Sequence, residues 1–351
     1  MIGHKGEQAV TVRALRGAAP YIHMYKGKVF IIKTGGGAFR DVATMRSFME
    51  QVAILHHLGI RVVLVHGGGP QLDEVTVKMG VETRMVQGRR VTDAAAIDAT
   101  SMVLNGLINT RLLALCREFG ISAIGVSGVD GGLVKAHRRP PVTLASGEVV
   151  DYGMVGDIDG VEASVITRLL DAGFLPIVSP LSADNSGQLL NINADTVAAA
   201  IGGALVAEKL ILCTGAPGIL ERLDDPRSLI SYTDVAGLRR LREEGALSDG
   251  MLPKSSAIES AIRGGVRRVH VISYAAPDAL LAEIFTNEGT GTLVVADTKA
   301  LSAAEQGAAY EITCTRRTPP RIADSIALDF GSMPSDKAPS SRRRRRPATS
   351  V

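Results

Sequence analysis

The sequence predicts an α/β fold in which repeated strand–helix units build a largely parallel sheet. Short β-branched runs alternate with longer segments of helical period from about Lys28 to Ala296. Several helical segments open with an acidic residue or a proline, which suits a helix N-terminus. The predicted strands are Val29–Lys33, Arg61–Val65, Ala123–Val126, Leu175–Val178, Lys209–Cys213 and Arg268–Ile272, and helices are predicted to begin at Asp41, Pro70, Asp93, Val161, Asp195, Asp234 and Pro253.

Two segments depart from this alternation. Lys135–Val150 is polar and contains Arg138-Arg139-Pro140-Pro141, which predicts a hairpin or loop insertion of the kind that covers a ligand. After Asp297 the pattern gives way to Ser, Ala, Pro and charge, with Tyr310–Cys314 as a candidate strand. We therefore predict one folded unit over residues 1–298 and a largely disordered C-terminal extension over 299–351, which ends in an arginine-rich run.

The composition argues against several classes of protein. The chain has 351 residues and 46% hydrophobic content, but its apolar runs fall far short of the roughly 20 residues that span a membrane. The N-terminus has no signal-peptide pattern, so we predict a cytoplasmic protein. The net charge is only +3 and there is no Trp, so nucleic-acid binding is not expected. Cys116, Cys213 and Cys314 have no metal-ligand spacing and are expected to be reduced and mostly buried.

Glycine-rich turns follow two of the predicted strands. Lys33 precedes Gly35-Gly36-Gly37, and His66 precedes Gly67-Gly68-Gly69 and a helix that starts near Pro70. Glycines let the backbone approach an anion closely, and a helix N-terminus adds partial positive charge. A simple strand-to-helix turn has the same composition, but two such turns at one sheet edge favour anion binding. His66 itself is expected to be structural.

Amide and charged side chains form two further motifs. Asn191-Ile192-Asn193-Ala194-Asp195 places three polar side chains at alternate positions ahead of a small, apolar helix. Burying them without partners would cost a few kcal/mol, so we expect them to face a site. Lys254 lies in the first turn of another predicted helix, where the macrodipole disfavours a cation, and this suggests a ligand phosphate. Asp195 is suited either to hold both lysines or to cap its own helix.

Arg89 and Arg90 precede the helix that begins at Asp93. The planar fork of an arginine suits bidentate recognition of a carboxylate, although a solvated turn has the same local sequence. Together with the two lysines and the glycine turns, these residues describe a site that holds two anionic groups against each other and neutralises the charge between them. Phosphoryl transfer to a carboxylate requires such a site, so the sequence predicts a small-molecule kinase.

Taken in order, the motifs resemble those of N-acetylglutamate kinase, of the amino-acid kinase superfamily. The resemblance covers roughly Ala19–Val295. It implies a three-layer αβα sandwich around a mainly parallel, about eight-stranded open sheet, with an acceptor-binding half over about 27–180 and a nucleotide-binding half over about 181–298. The motifs that carry it are Lys33-x-Gly-Gly, His66-Gly-Gly-Gly-Pro-Gln, Gly88-Arg-Arg-Val-Thr, Gly125-Val-Ser-Gly, Val155-Gly-Asp-Ile, Asn191-Ile-Asn-Ala-Asp, Asp249-Gly-Met-Leu-Pro-Lys and Glu283-Ile-Phe-Thr.

The resemblance also implies a reaction and a role for individual residues. ATP would phosphorylate the γ-carboxylate of N-acetyl-L-glutamate, the second step of arginine biosynthesis. Lys33 and Lys254 would stabilise the transferring phosphoryl group, and Asp195 would orient both lysines. Mg²⁺ would be held mainly through the nucleotide phosphates, without a metal site of the protein, and the protein would be a homodimer. Acetylglutamate would be bound by Gly68, Gly69, Arg90 and Asn191, and the nucleotide by Gly35, Gly36, Gly215, Gly218, Asp249, Gly250 and Met251.

The chain departs from the family pattern in two segments, the first of them near the expected nucleotide. Where the family has Thr-Asp-Val-x-Gly, the chain reads Thr214-Gly215-Ala216-Pro217-Gly218. Where the family has Asp-Gly-Arg and a later His, the chain reads Ser273-Tyr274-Ala275 and Asp278. The resemblance ties the second segment to arginine feedback and a hexamer, so neither is expected here.

Two other functions stay open at this point. One is a catalytically weak or inactive amino-acid sensor, like the kinase-like domain of N-acetylglutamate synthase. The other is a kinase for a related acceptor, such as an aminoadipate derivative or carbamate. A difference of one methylene is worth only about 1–3 kcal/mol, so the sequence does not separate such acceptors.

Overall fold

Strands and helices alternate along the chain as the sequence predicts. The computed structural model describes residues 2–297 apart from 83, 87, 88, 145, 223, 248, 249 and 288, with only the helix backbone for residues 2–7. The predicted extension over 299–351, with Tyr310–Cys314 and Cys314, lies outside the described residues.

The strands in chain order are β1 Val29–Thr34, β2 Arg61–His66, β3 Arg84–Val86, β4 Arg89–Val91, β5 Ala123–Ser127, β6 Val134–Arg138, β7 Val142–Thr143, β8 Val149–Val150, β9 Gly156–Val161, β10 Leu175–Ser179, β11 Leu181–Ala183, β12 Leu189–Asn191, β13 Lys209–Thr214, β14 Tyr232–Asp234, β15 Arg268–Ser273 and β16 Thr292–Val295. The α-helices are α1 Ile2–Tyr25, α2 Val42–His57, α3 Gly69–Lys78, α4 Ala94–Ser101, α5 Asn109–Glu118, α6 Ala163–Asp171, α7 Ala194–Ala204, α8 Val235–Glu243, α9 Leu252–Arg263 and α10 Ala279–Phe285. Each of the six predicted strands begins at the predicted residue and extends one residue further.

The middle layer is an eight-stranded sheet in the order β14, β16, β15, β13, β1, β2, β10, β5. Its neighbouring strands are parallel except for the antiparallel pair β15 and β16, which confirms the predicted mainly parallel sheet. The strands from residues 29–179 lie on one side and those from 209–295 on the other. The two groups meet where β1 pairs with β13.

Helices cover both faces of this sheet. Ile31 of β1 packs into a cluster with residues of α6, α7, α8 and α9, whereas its neighbours Phe30 and Ile32 pack on the opposite face with α1, α2, α5 and α10. Strands buried on both faces are apolar at successive positions rather than at alternate ones. The three-layer arrangement is therefore confirmed.

Acidic residues cap several helices as predicted. The side chains of Asp41, Asp93 and Asp234 each accept a backbone N–H in the first turn of α2, α4 and α8, respectively. The helix expected from Val161 begins at Ala163, because Val161 is still paired in β9.

The helix expected to begin at Asp195 has a different cap. Asn193 accepts the N–H groups of Asp195 and Thr196, at 2.8 and 3.2 Å, so α7 begins one residue earlier. The idea that Asp195 caps its own helix is wrong. Its carboxylate is left for other partners.

Helix α1 has no counterpart among the predicted helices. Tyr25 in its last turn packs edge-on against Phe30, and the Lys209 ammonium lies 5.1 Å from the centre of the Tyr25 ring. Lys209 Nζ is 2.9 Å from His270 Nε2, and His270 Nδ1 is 2.7 Å from Glu283 Oε1. Burial lowers the pKa of Lys209 to about 7 and that of His270 to about 4. This buried chain lies at the beginning of β13, opposite the end that carries Thr214.

The stretch Ala94–Glu118 is helical throughout, with a π-helical turn at Met102–Ile108 between α4 and α5. By length and composition alone it is apolar enough to cross a membrane, and 44% of its most apolar window is buried within the fold. Met102, in contrast, is 60% exposed. The stretch therefore contributes to the core and leaves Met102 exposed to solvent.

The smaller sheet β12–β11–β6–β9 and the hairpins β3–β4 and β7–β8 lie between the main strands in sequence. Of the predicted insertion at Lys135–Val150, residues 139–150 contain the β7–β8 hairpin, as expected, whereas residues 135–138 belong to β6, which pairs with β9 and β11. Three backbone hydrogen bonds connect these parts: Thr92 N–H to Tyr152 O, Met154 N–H to Thr92 O, and Asn191 N–H to Met154 O. Residues 152–154 thus hold Thr92 and Asn191 near each other.

Gly153 allows this close approach. Its φ is +72°, and a Cβ at this position would lie 2.3 Å from Thr92 O. Gly187 has a similar φ of +86° but no heavy atom within 4 Å of an added Cβ.

Gly153→Ala is therefore expected to destabilise the protein more than Gly187→Ala. Both substitutions incur the left-handed backbone strain of about 1–2 kcal/mol, but only Gly153→Ala also displaces Thr92. Urea unfolding of the two variants and the wild type measures the difference. Equal losses in the free energy of unfolding would contradict the proposed clash.

Candidate active site

Asp195 lies between the two lysines singled out in the sequence. Lys33 Nζ is 2.7 Å from its Oδ1, and Lys254 Nζ is 3.2 Å from its Oδ2. The Lys33 contact is a close ion pair without the geometry of a regular hydrogen bond, whereas Lys254 donates a hydrogen bond. Residues from β1, α7 and α9 thus meet at one carboxylate.

Two helices fix these residues side by side. Asp195 lies in the first turn of α7 and Lys254 in the first turn of α9. At the other end of this pair, a Cβ on Gly203 would lie 3.2 Å from Gly264 Cα, and a Cβ on Gly264 would lie 3.0 Å from Gly203 Cα. The absence of side chains at both positions lets the helices pack closely, which keeps their N-terminal ends adjacent.

The charges are unequal and largely withdrawn from water. The side chains of Lys33 and Asp195 are 7% and 3% exposed, and that of Lys254 is 21% exposed. Burial, the largest influence, raises the pKa of Asp195, but the charges of Lys33 and Lys254 together outweigh it and hold that pKa below its usual value. Two ammonium groups face one carboxylate, so the cluster carries a net charge of +1. It can therefore attract an anionic group.

The two glycine turns pack directly against each other. Gly67 N–H donates to Thr34 O at 2.9 Å, and Gln71 Nε2 donates to Gly36 O at 2.8 Å. A Cβ on Gly36 would lie 2.4 Å from Gln71 Oε1 and 2.9 Å from Gly68 Cα. The first turn can therefore approach the second this closely only because residue 36 is glycine. Both turns lie where β1 and β2 end, next to Lys33.

The second turn rests on the π-helical segment. A Cβ on Gly68 would lie 2.4 Å from Ile108 Cδ1 and 2.7 Å from Leu104 Cδ2. Gly69 is the first residue of α3, and an added Cβ there would meet nothing within 4 Å. Ile108 and Leu104 thus leave no room for a side chain at Gly68, whereas the space beside Gly69 at the N-terminus of α3 is open.

His66 is fully buried at the end of β2. Its Nδ1 lies 3.4 Å from Gly67 O, a weak contact with the backbone, and burial lowers its pKa to about 4. Its Nε2 has no hydrogen-bond partner within the described part of the chain. The imidazole is therefore neutral at physiological pH.

Thr92 contacts both Asn191 and the backbone of Arg90. Asn191 Nδ2 is 3.4 Å from Thr92 Oγ1, and Asn191 ends β12. The Arg90 side chain is only 9% exposed and pairs with the carboxylate of Asp73 on α3. Arg90 is thus positioned near the second glycine turn, from which α3 begins.

Of the predicted nucleotide residues, Gly35 and Gly36 follow β1, whereas Gly215, Gly218, Gly250 and Met251 belong to the half of the chain that contains β13 to β16. Gly215 directly follows β13, and a Cβ on Gly218 would lie 2.6 Å from Leu229 Cδ1 and 2.7 Å from Thr292 Oγ1. Met251 is buried at the start of α9, after the exposed Gly250. Asp249 lies outside the described residues.

Several further residues shape the site, although their spacing in the sequence does not reveal their roles. Gln71 follows the second glycine turn and ties it to the first, and Asn193 caps α7, so that the Asp195 carboxylate is left to pair with the lysines. Thr92 joins the Arg90 and Asn191 segments. Tyr274, singled out in the sequence only as a departure, places its hydroxyl beside Gly37 and Gly215.

The described residues contain no group of three or more His, Cys, Asp or Glu side chains that could hold a metal ion. The one carboxylate of the lysine cluster is already paired twice. Cys116 and Cys213 are free and buried, as expected, and burial raises the pKa of each thiol to about 12.

The fold and this arrangement place the protein among known kinases. The family model "Amino acid kinase family" matches residues 28–273, more than half of the chain. The chain belongs to the amino acid kinase family.

Its relatives narrow the assignment. The chain is 45% identical over 287 residues to acetylglutamate kinase of Myxococcus xanthus, covering 80% of this chain and 93% of that protein. It is 42% identical over 279 residues to acetylglutamate kinase of Symbiobacterium thermophilum, covering 79% and 95%. Among solved structures, N-acetylglutamate synthase from Neisseria gonorrhoeae complexed with coenzyme A and N-acetyl-glutamate matches with a TM-score of 0.71 at 26% identity, over 87% of this chain and 69% of that one.

The burial of His66 predicts a dependence of stability on pH. Its pKa is about 4 in the folded protein and about 6.5 in the unfolded chain, so between these values only the unfolded chain binds the proton. Stability is therefore lost as the pH falls from 6.5 towards 4, by about 3 kcal/mol for this group.

Urea unfolding of the wild type and of His66→Gln between pH 4.5 and 7.5 measures this effect. His270 remains in both proteins and serves as a common background. The variant is expected to lose less stability across the range than the wild type. Identical slopes of the unfolding free energy against pH would contradict the assignment.

Proposed function

We propose that the protein transfers the γ-phosphoryl group of ATP to the γ-carboxylate of N-acetyl-L-glutamate, the reaction of acetylglutamate kinases and the second step of arginine biosynthesis. One observation carries the proposal: Asp195 binds Lys33 and Lys254 at a sheet edge lined by two glycine turns. The identity of 42–45% to acetylglutamate kinases over most of the chain supports the same conclusion.

The reaction forms a bond between a carboxylate oxygen of the acceptor and the γ-phosphorus, and breaks the bond from that phosphorus to the oxygen bridging it to the β-phosphate. ADP leaves with that electron pair. The acceptor is already ionised at neutral pH, so no general base is needed. Catalysis then depends on positioning and on neutralising the charge of two approaching anions.

The lysine cluster supplies that neutralisation. We assign Lys33 and Lys254 to the oxygens of the transferring phosphoryl group, and Asp195 to holding both ammonium groups in place before the substrates arrive. Charges fixed in advance require little reorganisation during the reaction. The backbone N–H groups of Gly35 and Gly36 would bind phosphate oxygens, and Gly68 and Gly69 in the second turn would contact acetylglutamate, as the sequence motifs imply.

The acceptor side fits a substrate with its own carboxylate. The Arg90 guanidinium has five N–H donors, so it can bind the α-carboxylate of acetylglutamate while it remains paired with Asp73. Asn191, beside Thr92, is placed to contact the acetylamino group or the carboxylate. Carbamate has no second carboxylate for Arg90 and is disfavoured. An aminoadipate derivative differs from acetylglutamate by one methylene, so the assay must decide between these two acceptors.

The nucleotide is expected as its Mg²⁺ complex. Because the Asp195 carboxylate is occupied by two lysines, Mg²⁺ would arrive on the phosphates and belong to the substrate. Gly215, Gly218, Gly250 and Met251 stay predicted nucleotide contacts, as does Asp249. The cytoplasmic location also stays a prediction.

A sensor without catalytic activity is the competing function, since the matched synthase shares the fold. The intact contacts of Asp195 with both lysines favour the enzyme.

The direct test is ADP release from the purified protein with ATP, Mg²⁺ and N-acetyl-L-glutamate, with the acyl phosphate trapped by hydroxylamine. Lys33→Ala is expected to lower kcat by about 10²–10³, because it removes one donor that stabilises developing charge. Lys78→Ala, which removes an exposed lysine on α3, is the matched control and should retain activity.

The outcomes separate the candidate functions. Turnover that requires acetylglutamate and is lost in Lys33→Ala supports the kinase. Turnover with an aminoadipate derivative but not with acetylglutamate would change the acceptor. No turnover, together with tight binding of acetylglutamate, would overturn the enzyme and favour the sensor.

We also propose that the protein is a homodimer. The exposed Met102 on the helical stretch Ala94–Glu118 is the position chosen to probe the pairing surface. Light scattering after size exclusion should give a dimer mass for the wild type and for Met79→Glu, an exposed methionine elsewhere, and a smaller mass for Met102→Glu. A monomeric wild type, or a dimer unaffected by Met102→Glu, would reject this surface.

A further inference from the structure

We propose that the hydroxyl of Tyr274 donates a hydrogen bond to the phosphate chain of the bound nucleotide. The inference rests on the proposed kinase function and adds a nucleotide-binding residue that the motifs do not contain. It would place one neutral donor beside the part of the nucleotide that leaves as ADP.

The position of the hydroxyl follows from its two glycine neighbours. A Cβ on Gly37 would lie 2.2 Å from Tyr274 Oη, and a Cβ on Gly215 would lie 3.3 Å from it. Gly37 belongs to the turn after β1, and Gly215 directly follows β13. Since β1 and β13 are adjacent parallel strands, the hydroxyl lies at their carboxyl edge, between the two turns.

A backbone hydrogen bond and the packing of the ring hold the Tyr274 side chain in this position. Tyr274 N–H donates to Thr214 O at 2.9 Å, which fixes the residue to the end of β13. Its ring packs against the core cluster that includes Phe48, Cys213 and Leu280. The hydroxyl is therefore a positioned group rather than the end of a free surface side chain.

The hydroxyl is also available to a ligand. Tyr274 is half-buried, and its hydroxyl makes no hydrogen bond among the residues that the structure describes. Its neighbour Gly37 directly follows Gly35 and Gly36, which are assigned to phosphate, and its other neighbour, Gly215, is assigned to the nucleotide. A hydrogen-bond donor between these two segments would face the phosphates that connect the transferring phosphoryl group to the nucleoside.

The placement favours the nucleotide over the acceptor. Tyr274 directly follows β15, in the half of the sheet formed by residues 209–295. Arg90 and Asn191, assigned to the acceptor, belong to β4 and β12 outside that half. Removal of the hydroxyl should therefore weaken nucleotide binding and leave acceptor binding intact.

The test compares Tyr274→Phe with the wild type and with Tyr232→Phe. Tyr232 is a matched control because it lies on β14 in the same half of the sheet, and its own hydroxyl has no hydrogen-bond partner among the described residues. The dissociation constant of Mg-ADP is measured by calorimetry, and the KM values for ATP and acetylglutamate by the coupled assay. Thermal unfolding reports whether the ring still packs.

Tyr274→Phe is expected to raise the dissociation constant of Mg-ADP about tenfold, as for a lost hydrogen bond to a charged group. The KM for acetylglutamate and the midpoint of thermal unfolding should stay at wild-type values, and Tyr232→Phe should behave as the wild type.

Unchanged Mg-ADP affinity in Tyr274→Phe would overturn the inference. So would equal weakening of both substrates with a lower unfolding midpoint, since that marks a packing role. If the wild type binds Mg-ADP but phosphorylates no acceptor, the proposed function fails, and the binding comparison still decides the role of Tyr274.

Discussion

The ion pairs of Asp195 are the constraint on which the rest of the site depends. A buried carboxylate with one lysine would be close to neutral, and two lysines without the carboxylate would repel each other in a region of low dielectric. With all three, the cluster is stable before ligands bind and retains a single positive charge for an anion. Removing these charged groups from water costs free energy, and we expect such a cluster only where its positive charge takes part in binding or catalysis.

The surrounding structure keeps this cluster in place through close backbone contacts. Gly203 and Gly264 let α7 and α9 pack tightly, so Asp195 and Lys254 start neighbouring helices. On the other side, the packing of Gly36 against Gly68 joins the turns after β1 and β2 and leaves Lys33 at their junction. Small residues thus bring together the parts of the chain that carry the charges.

Much of this could be predicted from the sequence. The strands are apolar at successive positions because both faces are buried, and acidic caps mark three of the helix starts. Patterns of local sequence do not report contacts between distant segments, however. The buried Lys209–His270 contact and the Thr92–Asn191 contact join positions more than 60 residues apart, and neither could be predicted. Tyr274 and Gly215 are separate departures from the family pattern in the sequence, yet they are neighbours in the structure.

The most direct test of the role of Asp195 is a double-mutant cycle on kcat with Asp195→Asn and Lys254→Met. If Asp195 acts by holding the lysines, the two changes affect one unit, and the double variant should lose little more activity than the more damaged single variant. Losses that multiply would mean that Asp195 and Lys254 act independently, and would contradict the account.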